Sequence, residues 1–331
     1  MSFSQSRKYL AGLALASCLA SAACGTKDSG KNSDDLTSLE LAIQQPPSLG
    51  FFLSPIIKDQ GLDKKHGLNI SFKPQPGATY RTNFASGATQ VGASGTLLTD
   101  VGLLSQKGGK VQYLFNVYNY WGAAVAPKTS GITKLSDFSN KSFAADLTSA
   151  QYVMFKYVAQ KNGLDVGSMR VQGVQGPALS PIIEANRADG VEIWEPAYSS
   201  LTEGGTSDKY TTFDLAKLWT QATGQSHIPY LGLAAQTSWI TSHKREVSQL
   251  YDTYVDAAAY VKEHPTEAAQ TISKALRIRE ASIAALLKST RLNLNVYWAS
   301  SQTNAIDTVF RAAVESGYLK SVPQGVVYQQ G

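Results

Sequence analysis

Strand and helix signatures alternate twice along this chain, and the break between the two runs, at Pro127-Lys128-Thr129-Ser130-Gly131, constrains the fold more than any other feature. In the first run strands are expected at 39–43, 68–72, 111–117 and 123–126, with helices at 51–60, 79–85 and 96–106. Gly61 and Ser86-Gly87 end the first two helices. The second run places strands at 142–145, 170–174 and 190–193 around helices at 150–160 and 178–187. A strand–helix–strand rhythm implies a mostly parallel sheet, because parallel neighbours need a crossover that a helix supplies. Two rhythms predict two α/β lobes. A strand at 231–235 returns the chain to the first lobe, and from Ser242 onward the pattern is helical, at 247–262, 265–274, 282–288 and 303–316. Pro265 stands at a helix start, where proline fits.

The first two dozen residues are address rather than fold. Arg7 and Lys8 form a basic start, an apolar run follows from Tyr9 to Ala20, and Ala20-Ser21-Ala22-Ala23-Cys24-Gly25 supplies small residues before a cysteine. This is the ground plan of a bacterial lipoprotein signal. Cys24, as the first mature residue, offers its thiol to a diacylglyceryl group. Leu15-Ala16-Ser17-Cys18 is a second lipidation box, but the apolar run before Cys18 is very short, which favours Cys24. The polar stretch that follows reads as a flexible tether. The expected organisation is a signal over 1–23, a tether over 24–37, a first lobe from 38–126 completed by a helical 231–331, and a second lobe over 127–230.

Composition supports a folded body held outside the cytoplasm. Apolar residues make up 43% and charged residues 17%, as in globular chains, and no second apolar run is long enough to span a bilayer. The net charge of +5 falls to +3 without Arg7 and Lys8, and the remaining charges are interleaved, so there is no basic stripe for nucleic acid. The only cysteines are Cys18 and Cys24, so the mature fold carries no disulfide and no cysteine-based metal or redox chemistry.

Several local patterns occur in a fixed order. Gly61-Leu62-Asp63-Lys64-Lys65-His66-Gly67-Leu68 turns into the second strand, and Ser86-Gly87-Ala88-Thr89-Gln90-Val91-Gly92 closes a helix. Gly131-Ile132-Thr133-Lys134-Leu135-Ser136-Asp137-Phe138-Ser139-Asn140-Lys141 opens the second run, and Ala188-Asp189-Gly190-Val191-Glu192-Ile193-Trp194-Glu195-Pro196 is a strand ending in Trp-Glu-Pro. Together they resemble the nitrate/sulfonate/taurine class of periplasmic substrate-binding proteins that serve ABC importers. Gln90 stands where that family usually has Asp. The resemblance covers the whole mature chain and implies a type II periplasmic-binding-protein fold, with a mostly parallel sheet flanked by helices in each lobe and the ligand in the interlobe cleft. It also implies a monomeric receptor whose partners are a small-molecule ligand, a permease and its ATPase, held at the cell membrane by its lipid.

Ligands of open α/β sheets lie beyond the carboxyl ends of the strands, so the strand-to-helix loops nominate the pocket. Gln45, Thr79 and Tyr80 belong to two such loops. Ser94, Gly95 and Thr96, with Thr148 and Ser149, are suited to an anionic oxygen, because helix starts leave N–H groups and hydroxyls facing out. Trp121, Tyr152, Trp194 and Glu195 complete the expected lining; Tyr118 and Tyr120 add to an aromatic excess that suits a ring. Arg81 could neutralise a carboxylate or sulfonate, or be a solvated helix residue. The hinge crossings are expected near 125–127 and 229–232, with His227 in a loop beside the second.

The alternative is an enzyme on the same two-lobed fold, since pyrimidine synthases of thiamine biosynthesis and some menaquinone-pathway enzymes resemble these proteins. The synthases use a cysteine-rich segment with histidines for iron, which this chain lacks, and its four histidines, His66, His227, His243 and His264, sit in separate elements. No zincin, nucleophile-elbow or phosphate-loop motif occurs. No catalytic residue, metal or cofactor is therefore expected. A sensor lipoprotein is the third reading. The aromatic-rich loops with few charges favour a ring-bearing carboxylate or sulfonate over bare nitrate; alkanesulfonates, taurine and a thiamine-precursor pyrimidine stay open.

Overall fold

The structure, a computed structural model, describes residues 36–330. The expected signal, Cys18 and Cys24, and all but the last two residues of the expected tether lie outside the described residues. The strands are β1 (Thr37–Gln44), β2 (Leu68–Gln75), β3 (Val91–Thr96), β4 (Val111–Asn119), β5 (Ala123–Pro127), β6 (Ser142–Ala145), β7 (Arg170–Gly173), β8 (Gly190–Ile193), β9 (Tyr210–Asp214), β10 (Pro229–Gln236) and β11 (Leu294–Trp298). They form a six-stranded sheet of order β11-β4-β10-β3-β1-β2 and a five-stranded sheet of order β7-β6-β8-β5-β9.

Each sheet is parallel in one half only, which corrects the expectation of mostly parallel sheets. The crossover units β1–β2, β1–β3, β6–β7 and β6–β8 run parallel, as the rhythm requires. The strands next to the lobe crossings reverse direction: β10 is antiparallel to β3 and β4, and β5 is antiparallel to β8 and β9. A chain that leaves one sheet and returns from the other inserts its returning strand against the direction of its neighbours. The crossings also sit earlier than expected. β5, predicted to close the first lobe, pairs entirely within the second sheet, so the chain crosses at Tyr120-Trp121-Gly122. It returns through the segment between helix Leu215–Thr223 and β10. The two crossings are tied together where Tyr120 N–H donates to the Ile228 carbonyl at 2.8 Å.

The C-terminal region is helical with one exception. Helix Lys244–Glu263 buries Val247, Leu250, Tyr254, Ala257 and Val261, a 3-4-3-4 spacing that puts one stripe against the first sheet. Fully burying a leucine or valine there contributes about 2 kcal/mol. Pro265 begins the next helix, Pro265–Leu276, as its missing N–H permits. The exception is β11, which pairs with β4 at the sheet edge where only helices were expected. Its entry turn is made by Asn293, which adopts φ 48°.

One apolar core runs under both lobes. It includes Tyr113, Leu97 and Phe310 of the first lobe, Phe138, Phe143, Phe155 and Trp219 of the second, and Tyr120 and Ile228 at the crossings. Separate clusters cover the outer face of each sheet.

Candidate ligand-binding site

A cavity of about 440 Å³ lies between the two sheets, at the carboxyl ends of β1, β3, β6, β7 and β8. The first lobe contributes Gln44, Gln45, Arg81, Thr96 and Thr99 to its wall. From the second lobe come Asp146, Ser149, Gln151, Gly176, Trp194 and Glu195, and Tyr230 stands at the return crossing.

Five of the twelve residues expected at the ligand share this wall: Gln45, Thr96, Ser149, Trp194 and Glu195. Gln45 is exposed. Trp194 lays its indole against the backbone of Gly176, where a β-carbon would come within 2.7 Å of the ring. The two hydroxyl residues are engaged within their own elements. Ser149 caps helix Ala150–Lys161, accepting from Tyr152 N–H at 3.1 Å and donating to the Asp146 carbonyl at 2.7 Å. Thr96 stands just before a π-helical turn over Leu97–Leu103; its N–H and hydroxyl donate to Asp100 Oδ2 at 2.9 and 2.8 Å.

The other seven lie off the cavity wall, each for a visible reason. The Tyr80 ring is turned into the core against β3, where only glycine at position 92 leaves room: a β-carbon there would lie 2.2 Å from the Tyr80 hydroxyl. Thr79, next to it on the helix, faces solvent. Ser94 is fully buried and accepts from Gln44 N–H at 3.0 Å, so it ties β3 to the end of β1. Gly95 lets β10 approach, since a β-carbon would meet Ala234 at 2.8 Å. Trp121 donates to Asp214 Oδ2 at 3.2 Å and is covered by Tyr198 and the Arg291 guanidinium. Thr148 donates back to Asp146 Oδ1 at 2.8 Å. Tyr152 stacks on Phe155 beside Lys156. Tyr118 and Tyr120 are buried, and His227 is exposed beside Tyr297.

Sequence reasoning missed Asp146, Gln151 and Tyr230 as individual wall residues. Asp146 follows β6 directly, and the rule of strand carboxyl ends nominated its loop, 146–149, although only Thr148 and Ser149 were picked from it. Gln151, one position inside a helix, gave no local signal.

The electrostatics of the wall are uneven. Arg81 makes no ion pair or hydrogen bond among the described residues. Glu195, whose side chain is fully buried, is held from two sides: Arg291 of the C-terminal region donates from Nε to its Oε1 at 2.6 Å, and Ser199 N–H, on the helix that follows it, donates to its Oε2 at 3.0 Å. Behind the wall, burial pushes the Asp100 carboxyl up to about 6, against the pull of the Thr96 bonds and Arg81. Glu192, on β8, is fully buried, and neither carboxyl oxygen has a partner among the described residues. Burial, and then the charge of Asp146, raise it well above the usual carboxylate range. None of the four histidines lines the cavity. Among the described residues no group of three or more His, Cys, Asp or Glu is placed to hold a metal ion, and no helix is long and apolar enough to cross a membrane.

Two lobes of mixed α/β sheet, joined by crossings beneath a cavity, define the periplasmic-binding-protein fold, and solved structures share it. The periplasmic aliphatic sulphonate binding protein SsuA of Escherichia coli superposes with a TM-score of 0.73 at 15% identity, over 89% of this chain and 92% of that one. The alkanesulfonate-binding protein SsuA of Xanthomonas axonopodis pv. citri, bound to MOPS, gives 0.69 at 16%, over 88% and 96%. The periplasmic nitrate-binding protein NrtA of Synechocystis PCC 6803 gives 0.64 at 13%, over 87% and 83%. Residues 56–268 match the family described as NMT1/THI5 like, and the chain belongs to that family. No curated protein sequence matches it significantly.

Proposed function

We propose that this protein is the solute-binding component of an ABC-type importer. It captures a small organic anion of the sulfonate or aromatic carboxylate class outside the cytoplasm and delivers it to a permease driven by an ATPase. The observation that carries this reading is the interlobe cavity at the strand ends with one unpaired guanidinium, Arg81, on its wall. A planar donor fork suits a carboxylate or sulfonate, and Trp194 offers a face for a ring. Likeness in fold to sulfonate- and nitrate-binding proteins supports the same class of cargo. The lobes, proposed to hinge at 120–122 and 224–228, would close on the solute. A lipid on Cys24 would hold the chain at the membrane as a monomer, with the stretch before β1 as its tether. The enzyme reading has less support at the site, since no cavity residue is a histidine or cysteine, the types an iron-dependent pyrimidine synthase needs.

A thermal-shift screen of the purified protein against sulfonates, aromatic carboxylates, nitrate and pyrimidines tests the reading. A solute bound only by the folded state at 100 times its Kd stabilises by about 2.7 kcal/mol, which is readily seen. A shift with one anion class, with the solute recovered unchanged, is the expected result. Consumption of the solute would move the protein to the enzyme class.

A further inference from the structure

At its first-lobe end the cavity wall carries a short row of hydroxyls that leads back to a buried carboxyl. Thr96 and Thr99 both line the cavity, on the same lobe as Arg81. Asp100, on the π-helical turn behind them, is buried. Its Oδ2 accepts from Thr96 N–H and from the Thr96 hydroxyl, and the hydroxyls of Thr96 and Thr99 are hydrogen-bonded to each other. A threonine hydroxyl has one hydrogen to give, and an ionised carboxylate can only accept. While Asp100 is ionised, Thr96 spends its hydrogen on Asp100 and Thr99 spends its own on Thr96. Thr99 then turns only lone pairs toward the cavity, and these repel an anion. A protonated Asp100 adds a hydrogen to the row. Thr96 Oγ1 is placed to accept it, so that Thr96 donates to Thr99 and Thr99 donates into the cavity.

Charge acts in the same direction. Asp100 and Arg81 are close enough for their charges to interact, so an ionised Asp100 weakens the pull of Arg81 on a solute anion, and a neutral one restores it. The groups facing Asp100 are Arg81 and Tyr80 of helix Gly77–Ala85, Tyr230 of β10, and Tyr318, which follows helix Thr303–Glu315. Burial pushes all three tyrosines up, so they stay neutral in the range where Asp100 titrates. Helix Thr303–Glu315 meets the turn with Phe310, against Gly102; its Asp307 and Arg311 pair with each other and its Glu315 with Lys161. No lysine or histidine is among the charges acting on Asp100, whose carboxyl burial lifts to about 6.

We propose that this protein binds its solute anion together with a proton, the anion at Arg81 and the proton on Asp100, with Thr96 and Thr99 relaying the proton's presence to the solute. The proton comes from solvent and stays on Asp100, and no bond of the solute changes. Asp100 is then a positioning residue that never touches the solute, and Thr99 is the hydroxyl that does. The linkage presupposes the anion-receptor reading above and adds the proton to it as a second ligand.

The test is isothermal titration of the full chain with methanesulfonate, 4-methylbenzenesulfonate and benzoate, anions that stay ionised above about pH 5. A bound anion raises the Asp100 pKa further, so binding takes up a proton and affinity falls as pH rises. Measured in buffers of different ionisation enthalpy, uptake should be about half a proton per solute near pH 6.5, and affinity should fall about tenfold from about pH 5 to about pH 8. Asp100→Asn should bind without uptake and with the same affinity across that range. Thr99→Val, a change on the wall itself, should narrow the fall to about threefold by removing the hydroxyl's share. Glu192→Gln, on the second lobe, should keep both the uptake and the fall. Each comparison is made across pH within one protein, so a loss of stability in a variant cancels. Binding with no uptake and no fall would overturn the linkage and leave the anion reading standing. Failure of all three anions to bind at any pH would overturn the two together. A fall that survives in Asp100→Asn, or that vanishes in Glu192→Gln, would overturn the assignment to Asp100, and an unchanged fall in Thr99→Val would overturn the relay.

Discussion

Glu192 and Glu195 are three residues apart at the end of β8, and both carboxyls are buried, but they are satisfied in opposite ways. Glu195 is clasped by Arg291 and by the Ser199 N–H, and Arg291 also lies over the rings of Trp121 and Tyr198. Glu192 has no partner on either oxygen among the described residues. The first carboxylate joins the cavity wall of the second lobe to the C-terminal segment packed on the first. The second stores unmet hydrogen-bonding capacity behind the cavity. Burial alone therefore does not tell what a carboxylate in such a cleft is for; its partners do.

Breaking the clasp should have the largest effect. Arg291→Ala leaves the buried Glu195 carboxyl without its ion-pair partner, a change that costs about 3–5 kcal/mol in proteins where a buried pair loses one member. Equilibrium denaturant unfolding checks it, and a loss below about 1 kcal/mol would place the pair among weak surface bridges. Glu192→Gln should act in the opposite direction, because it removes an unpaired carboxyl while keeping its shape. Stability near pH 7 should rise by about 1–3 kcal/mol, read in the same experiment; a fall would mean that Glu192 has a partner after all.

The burial of Glu192 also has a pH dependence. A carboxyl whose folded pKa is raised binds its proton more tightly in the native state, so stability is greatest below the unfolded value and is lost as pH rises toward the folded one. Glu192, raised well above 4.5, and Asp100, raised from 3.8 to about 6, both act this way. Melting temperature should decline as pH rises from acid values on account of both, the part due to Asp100 being lost as pH passes through about 6. In Glu192→Gln the decline should be shallower, with only the portion due to Asp100 remaining. Melting curves at closely spaced pH values decide this.

The smallest effect is expected at the outer contact of the same two segments. Arg279 pairs with Glu203 at 2.7 Å, but its side chain is 73% exposed. Arg279→Ala should cost about 1 kcal/mol or less, as exposed pairs do. A larger loss would show that the whole 279–291 segment, and not Arg291 alone, clasps the second lobe.

The contrast between the glutamates also shows where the sequence stops being informative. The two lobes follow from the alternation of elements around Pro127, and the stripe of helix Lys244–Glu263 is readable from Val247 to Val261 because its spacing is local. Trp194-Glu195-Pro196 was readable as a wall segment because it ends a strand. The roles of Ser94 and Thr96 were not readable, since a hydroxyl at a strand end becomes structural when it meets Gln44 N–H, 50 residues away, or the Asp100 carboxylate. Tyr80 and Trp121 misled for a related reason: an aromatic in a loop faces a cleft or a core according to partners such as Gly92, Asp214 and Arg291 that no local pattern names. The antiparallel halves of both sheets escaped because strand direction depends on which sheet a crossing strand enters, and β5 enters the second rather than the first.

Arg81 is proposed to hold the anion of a solute in the cavity between the lobes. This is tested most directly by titrating the tightest-binding anion of the thermal screen into the wild-type protein and into Arg81→Ala by calorimetry. Arg81 lacks an ion-pair partner among the described residues, so its removal should leave folding stability little changed. One site per chain is expected in the wild type, with an affinity at least about tenfold weaker in Arg81→Ala and full recovery of the solute. Undiminished affinity in Arg81→Ala would contradict it.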